Sequence, residues 1–263
     1  MFEFSDAQMN GWLVMFWWPF LRIFGLMLAD PVLSMKVVSV RVRVGLAILI
    51  AILVSVQLHP SAVSVEIVSP LGILLAVREL VIGIALGFIM RLIFTGMEMA
   101  GHLTGLQMGL GFATLYDPLH STNTAVLAQI YSLLTLLIFL ALDGHLIVLR
   151  AVLESFVTLP IGSPPAGYGA FKLLADYGAT IFRTGVMLSL PVLAALLITN
   201  LAIGVMTRAA PQLNVFAVGF PLTLGIGLVA LQLSLPYLPQ FIERMLADFT
   251  RLATRLLPLF ATP

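Results

Sequence analysis

GMEMAGHLTGLQMGLGFATLYDP, residues 96–118, is the stretch on which the reading of this chain turns. It is apolar enough for a membrane, yet Gly101, Gly105 and Gly109 recur every four residues and Gly111 follows. Four-residue spacing stacks small residues on one helical face, where a neighbouring backbone can approach closely. Past Gly111 the helical pattern weakens, and Asp117-Pro118 reads as a turn. The stretch therefore predicts a tightly packed helix opening into a soft apolar loop. Such a part suggests an assembly with something to close and does not suggest an active site.

The rest of the composition fits a membrane setting. The chain has 263 residues, 60% of them hydrophobic and 10% charged, with a mean hydropathy of +1.10. Soluble domains carry about a quarter charged residues. Residues 44–65, 118–142, 184–207 and 209–242 contain no Asp, Glu, Lys or Arg. About 20 apolar residues cross ~30 Å of hydrocarbon as a helix, and in lipid only structures that pair every backbone group internally survive. A formal charge of +1 gives no reason to expect nucleic acid or an acidic substrate. The absence of cysteine excludes disulfides, thiolate metal sites and a cysteine nucleophile. Glu3 and Asp6 precede the first basic residue, Arg22, so a cleaved secretory signal is not expected and the first apolar segment is read as retained.

Six spans are expected, near 11–29, 44–58, 71–94, 124–142, 184–206 and 213–235. Trp12, Trp17 and Trp18 lie in the first with Phe16, Phe20 and Phe24, and read as an interfacial aromatic belt, with Arg22 snorkelling beyond it. Asp143-Gly144-His145 breaks the chain after the fourth span, and residues 161–169, IGSPPAGYG, form its clearest loop. Pro191 and Pro221 fall inside the fifth and sixth spans, where they are candidates to break them. Between Pro239 and Pro258 the apolar residues share one helical side and Glu243, Arg244, Asp248, Arg251 and Arg255 the other. That helix is expected to lie at an interface or on a partner. Basic residues divide almost evenly between the two sides of a six-span arrangement, so the positive-inside rule sets no orientation.

No catalytic constellation emerges. His59, His102, His120 and His145 lack metal-ligand spacing, and no nucleophile elbow or phosphate loop occurs. Neither an enzyme nor a cofactor is expected. Arg78 and Glu79 are charges inside a span, and as neighbours they point about 100° apart and pair poorly with each other. Each is expected to meet a different partner, a charge on another subunit or a lipid headgroup, unless the span begins after them. Arg208 is a third candidate intersubunit charge. Gly83 and Gly87 repeat the small-residue spacing of Gly101 and Gly105, and all four are read as helix-packing positions. Met90, Met97, Met99 and Met108 surround the glycine stripe, where flexible side chains suit either core filling or a contact that loosens and reseals.

At these residues the chain resembles the FliR family of the flagellar type III export gate, which is related to the SctT export proteins of virulence injectisomes. The resemblance rests on GLQMGLGFATLYDP (105–118), LDGHL (142–146), SF (155–156), LPIG (159–162), RAAPQLNVFAVGFPLTLGIG (208–227) and the aromatic WWPFLR (17–22). It implies an all-α membrane protein of helical hairpins plus the C-terminal amphipathic helix, with residues 1–175 FliP-like and 176–263 FliQ-like. It implies residence in the bacterial inner membrane within the flagellar basal body. The implied partners are FliP, FliQ and FlhB homologues, membrane lipids and unfolded export substrates in transit. It also implies a channel plug at Gln107, Met108, Gly109, Leu110, Gly111, Phe112, Ala113, Thr114, Leu115 and Tyr116. An injectisome subunit is the nearest alternative. A small-solute secondary transporter is a remote one, and it would need paired broken helices around a polar midplane site.

Overall fold

A computed structural model describes residues 6–35, 38–57, 67–111, 126–162, 168–212 and 214–260. Among them are nine α-helices and no strand. These are α1 (Asp6–Ala29), α2 (Val40–Gln57), α3 (Pro70–Gln107), α4 (Val126–Ala141), α5 (Gly144–Thr158), α6 (Tyr168–Tyr177), α7 (Thr180–Ala209), α8 (Val215–Ser234) and α9 (Leu238–Leu259). A 3-10 turn, Leu235–Tyr237, joins α8 to α9. Among the described residues three helical runs, Pro70–Gln107, Gly169–Ala209 and Ala217–Leu259, are long and apolar enough to cross a membrane, with α4 and α5 together making a possible fourth. The chain is an all-α membrane protein.

Two compact units interleave along the chain. The first takes Met1–Arg91, Asp143–Gly178 and Leu246–Pro263; the second takes Leu92–Leu142 and Ala179–Met245.

The first unit is built on a backbone-to-backbone contact. Gly83 of α3 lies against the carbonyl of Arg22 on α1, and a Cβ there would also stand 2.7 Å from the Leu26 nitrogen. Gly87 faces the Leu26 carbonyl and the Asp30 nitrogen, where a Cβ would lie 2.6 and 2.8 Å away. Gly25 of α1 answers from the other side, against the carbonyl of Leu80. Side chains larger than hydrogen would hold the helices apart, so dispersion contact along both backbones depends on these three positions. Around this seam Trp18, Ile23, Met27, Ala47, Ala51, Ile82, Leu86, Val152 and Phe156 are buried.

Three expectations are corrected here. Trp18 is 1% exposed and belongs to the core, not to an interfacial belt; Trp17 is half-buried, and the Trp12 side chain lies outside the described residues. What does form a column is Phe16, Phe20 and Phe24, stacked at 5.6 and 5.7 Å between centroids because i,i+4 residues share a helical face. Arg22 does not snorkel; it is fully buried. Thirdly, the apolar face of α9 is covered by the chain itself: Leu246, Phe249, Leu252, Leu256 and Phe260 are buried, and Phe260 meets Phe171 of α6 edge-on at 6.0 Å. Its polar face stays in solvent, as amphipathic periodicity requires, with Arg251 and Asp248 paired there at 3.4 Å.

The second unit contains the latter part of α3 with α4, α7 and α8. A Cβ at Gly101 would lie 2.5 Å from the Ala128 Cα on α4, and one at Gly185 of α7 would meet the Met99 side chain at 2.6 Å. Phe94 and Phe139 pack edge-to-face at 5.5 Å. The α7–α8 hairpin is the least covered part, exposing Leu190, Leu197, Ile198, Leu201, Val205, Val229 and Leu233. Pro191 and Pro221 lie within α7 and α8, yet both helices run on through them.

Candidate functional site

The candidate gate segment starts where α3 ends, and that end is defined by hydrogen bonds. The Gly109 N–H donates to the Leu106 carbonyl at 3.1 Å and the Leu110 N–H donates to the Gly105 carbonyl at 3.0 Å. Gly109 has φ 84°, in the left-handed region. Together these form a Schellman cap, in which the residue after the helix must turn left-handed and glycine does so without a Cβ clash. Gly109 therefore does not continue the packing stripe of Gly101 and Gly105. It stops the helix and aims the chain that follows.

The base of the segment is keyed into α8. Met108 is 1% exposed. A Cβ at Gly227 would fall 2.6 Å from the Met108 Cγ and 2.9 Å from its Cε and Sδ. Two of the glycine-rich sequence motifs thus meet within the second unit, one supplying a thioether side chain and the other the notch that receives it. Gln107, Gly109, Leu110 and Gly111 are half-buried beside this anchor, and Leu106 is exposed. Phe112, Ala113, Thr114, Leu115 and Tyr116 lie outside the described residues.

Nearly three turns before Met108 on α3, Glu98 accepts a hydrogen bond from the Ser132 hydroxyl at 3.1 Å. Sequence reasoning passed over Glu98. Its signal was a single carboxylate in an otherwise uncharged helical stretch, which marks a partner or a function.

The charges placed in the third expected span separate sharply. Glu79 finds its partner within the chain: Arg22 Nε donates to Glu79 Oε2 at 2.6 Å, both side chains at 0% exposure. Arg22 Nη1 donates to the Ser155 hydroxyl and Nη2 to the Leu159 carbonyl, each at 3.0 Å, while its guanidinium lies 4.2 Å above the Phe156 ring. The SF and LPIG motifs thus supply the α5 half of a socket for an α1 arginine. Arg78 is buried beside this network without joining it. Arg208 is exposed in the last turn of α7, where a cation favours the helix C-terminus. Gly105 is buried. Among the described residues no three His, Cys, Asp or Glu side chains gather in a way that holds a metal; His59 and His120 lie outside them.

A family model for bacterial export proteins, family 1, matches residues 13–249. The flagellar biosynthetic protein FliR of Pectobacterium carotovorum subsp. carotovorum is 42% identical over 248 residues, covering 94% of each chain. The Escherichia coli (strain K12) protein of the same name is 40% identical over 252 residues, covering 96% of each. The chain belongs to the FliR family of bacterial export proteins. The family extends to more distant relatives, such as the Bacillus subtilis (strain 168) FliR, 28% identical over 217 residues. The matched region takes in every FliR-like motif in this chain, from WWPFLR to the glycine that receives Met108.

Proposed function

We propose that this FliR-family chain, a component of the flagellar protein export apparatus, is a non-enzymatic structural and gating subunit of the export gate in the bacterial inner membrane. In this reading it completes a helical pore with FliP and FliQ homologues, with an FlhB homologue attached. Residues 1–175 are the FliP-like part and 176–263 the FliQ-like part. Residues 107–116 contribute a plug across the protein-conducting channel, and unfolded substrates pass when it yields. Bulky apolar Phe112 and Leu115 would keep water and ions out by dewetting the constriction. Energy for transport comes from partners.

One observation carries the plug assignment: α3 ends in a Schellman cap and a buried Met108 anchor immediately before the apolar GLGFATLY run. The uncovered apolar face of α7 and α8 is one that lipid or a neighbouring subunit would cover, so the assembly assignment is compatible with it. Helix length points the same way. α3 has 38 residues and α7 has 30, or ~57 and ~45 Å at 1.5 Å per residue, against ~30 Å of hydrocarbon. A helix that long extends well beyond a flat bilayer core unless strongly tilted. The transporter alternative loses support because α7 and α8 are continuous through their prolines.

Deleting residues 110–115 tests the plug. The gate should still assemble with FliP- and FliQ-like chains, but cells should lose their ion barrier, read as dye leakage or uncoupled membrane potential. A deletion that stays ion-tight while export proceeds normally removes the plug from the reading.

A further inference from the structure

The second half of the 208–227 motif has no part in the plug itself, yet it shapes the inward edge of α8. Gly219, Thr223, Gly227 and Leu231, each four residues on from the last, are buried, whereas Gly225, Leu228 and Val229 are exposed. Gly225 and Gly227 therefore differ in kind. A Cβ at Gly225 would meet nothing within 4 Å, while one at Gly227 would fall on the Met108 side chain, 2.6 Å from Cγ and 2.9 Å from both Cε and Sδ. α7 holds α3 in the same manner further back, where a Cβ at Gly185 would lie 2.6 Å from the Met99 Cγ. Both helices of the hairpin thus receive a methionine, Met99 within α3 and Met108 in its cap, ~14 Å apart at 1.5 Å per residue.

The obstacle at Gly227 is the far part of a flexible side chain, not backbone. At Gly101, by contrast, a Cβ would strike the Ala128 Cα and nitrogen. Carbon atoms rest about 3.5–4.0 Å apart, so a methyl at position 227 has to displace Met108 by ~1 Å or turn its side chain out, while α8 keeps its course. An unbranched thioether can leave such a notch and return to it. Met108 is also the last residue before left-handed Gly109, and the Leu110 N–H is bound back to the Gly105 carbonyl. A displacement at Met108 therefore reaches the start of the apolar run within two residues. We propose that Gly227 is a positioning residue for the plug: its bare notch seats Met108, and through that seat the α7–α8 hairpin sets where the run after the cap lies. The inference rests on the reading of residues 107–116 as the plug, and adds to it a residue outside the plug and the helix that steers it.

In membrane vesicles holding the full chain with its native gate partners, Gly227→Ala should assemble as wild type does. It should raise dye or ion leakage at least about fivefold, as overpacking by a methyl implies. Gly225→Ala, on the open side of the same helix, should leak no more than wild type. A cysteine pair gives a reversible form of the test, because the chain has no cysteine of its own. A Cβ at position 227 lies 2.6 Å from the Met108 Cγ. The Met108 Cβ is one bond further on and so at most ~4.1 Å away, within the spacing a disulfide takes. Met108→Cys with Gly227→Cys should leak when reduced, since neither thiol fills the seat, and should become ion-tight when oxidised, since the bond replaces it. An ion-tight Gly227→Ala assembly overturns the proposal, as does a cysteine pair whose leakage ignores oxidation. If Gly227→Ala fails to assemble, the cysteine pair decides alone. Leakage on deleting residues 110–115 together with a tight Gly227→Ala removes the seat and keeps the plug. A deletion that stays tight removes the plug reading first, and this inference with it.

Discussion

Where α1 meets the first part of α3, the chain spends its glycines on backbone contact and its charges on each other; along α7 and α8 it does neither. Gly83 and Gly87 bring two backbones together, and Arg22 ties α1 to α3 and α5 through three hydrogen bonds and a ring. Gly204 of α7 and Gly225 of α8, by contrast, have nothing near the place a Cβ would occupy, and the leucines around them are exposed. The same small, apolar vocabulary therefore does two jobs. In the first unit it completes a core within the chain. In the second it packs at Gly101, Gly185 and Gly227 but leaves the outer faces of α7 and α8 uncovered by the described residues.

The sharpest way to break this contrast is to take one partner from the buried pair. Arg22→Ala leaves Glu79 as a buried unpaired carboxylate and should lower unfolding stability by about 3–5 kcal/mol. The expected readout is early loss of Trp18 burial, followed by intrinsic fluorescence during detergent unfolding. Leu197→Ala and Ile198→Ala, on the exposed face of α7, should each change the same transition by under about 0.5 kcal/mol. Comparable losses at both places would mean that the two regions are not built differently. The glycines offer a smaller effect with a change of sign. Gly83→Ala drives a methyl into the Arg22 carbonyl and should cost roughly 1–3 kcal/mol by overpacking. Gly204→Ala meets open space and should stabilise the isolated chain by up to about 1 kcal/mol through helix propensity.

The smallest effect belongs to Asp30, just past the end of α1. Its Oδ1 accepts from the Val32 and Leu33 N–H groups at 2.9 Å each. Burial pushes its carboxyl above the ordinary value, against the opposing pull of those two hydrogen bonds and Arg91. A raised folded pKa means that ionisation works against the fold, so this group's contribution falls as pH rises through that value. Asp30→Ala should cost about 1 kcal/mol by removing the acceptor. Asp30→Asn keeps a neutral acceptor and should be nearly neutral at pH 7, with wild type gaining on it as pH is lowered. A pH-independent difference between wild type and Asp30→Asn would discount the buried carboxyl.

Much of this contrast is visible in the sequence, and the parts that are not share a cause. Four-residue spacing locates Gly83, Gly87 and Gly101 on packing faces because helical periodicity is local. The fate of Arg22 is not local. Whether an arginine near a helix end reaches for the interface or is buried depends on Glu79 and Ser155, which lie 57 and 133 residues away in sequence. The amphipathic pattern of α9 says that one face must be covered, and cannot say that α6 supplies part of the cover. Gly109 shows the limit of periodicity itself. It stands in register with Gly101 and Gly105, yet the helix has already ended, and only the hydrogen bonds of Gly109 and Leu110 reveal a cap.

The Arg22 socket also has a timetable. At about 5–20 residues per second, the 133 residues separating Arg22 from Ser155 take roughly 7–27 s to synthesise. Through that interval a guanidinium destined for complete burial has, at most, Glu79 for company. Phe260, whose ring closes on Phe171, emerges later still. The first unit is thus begun before the second and completed after it.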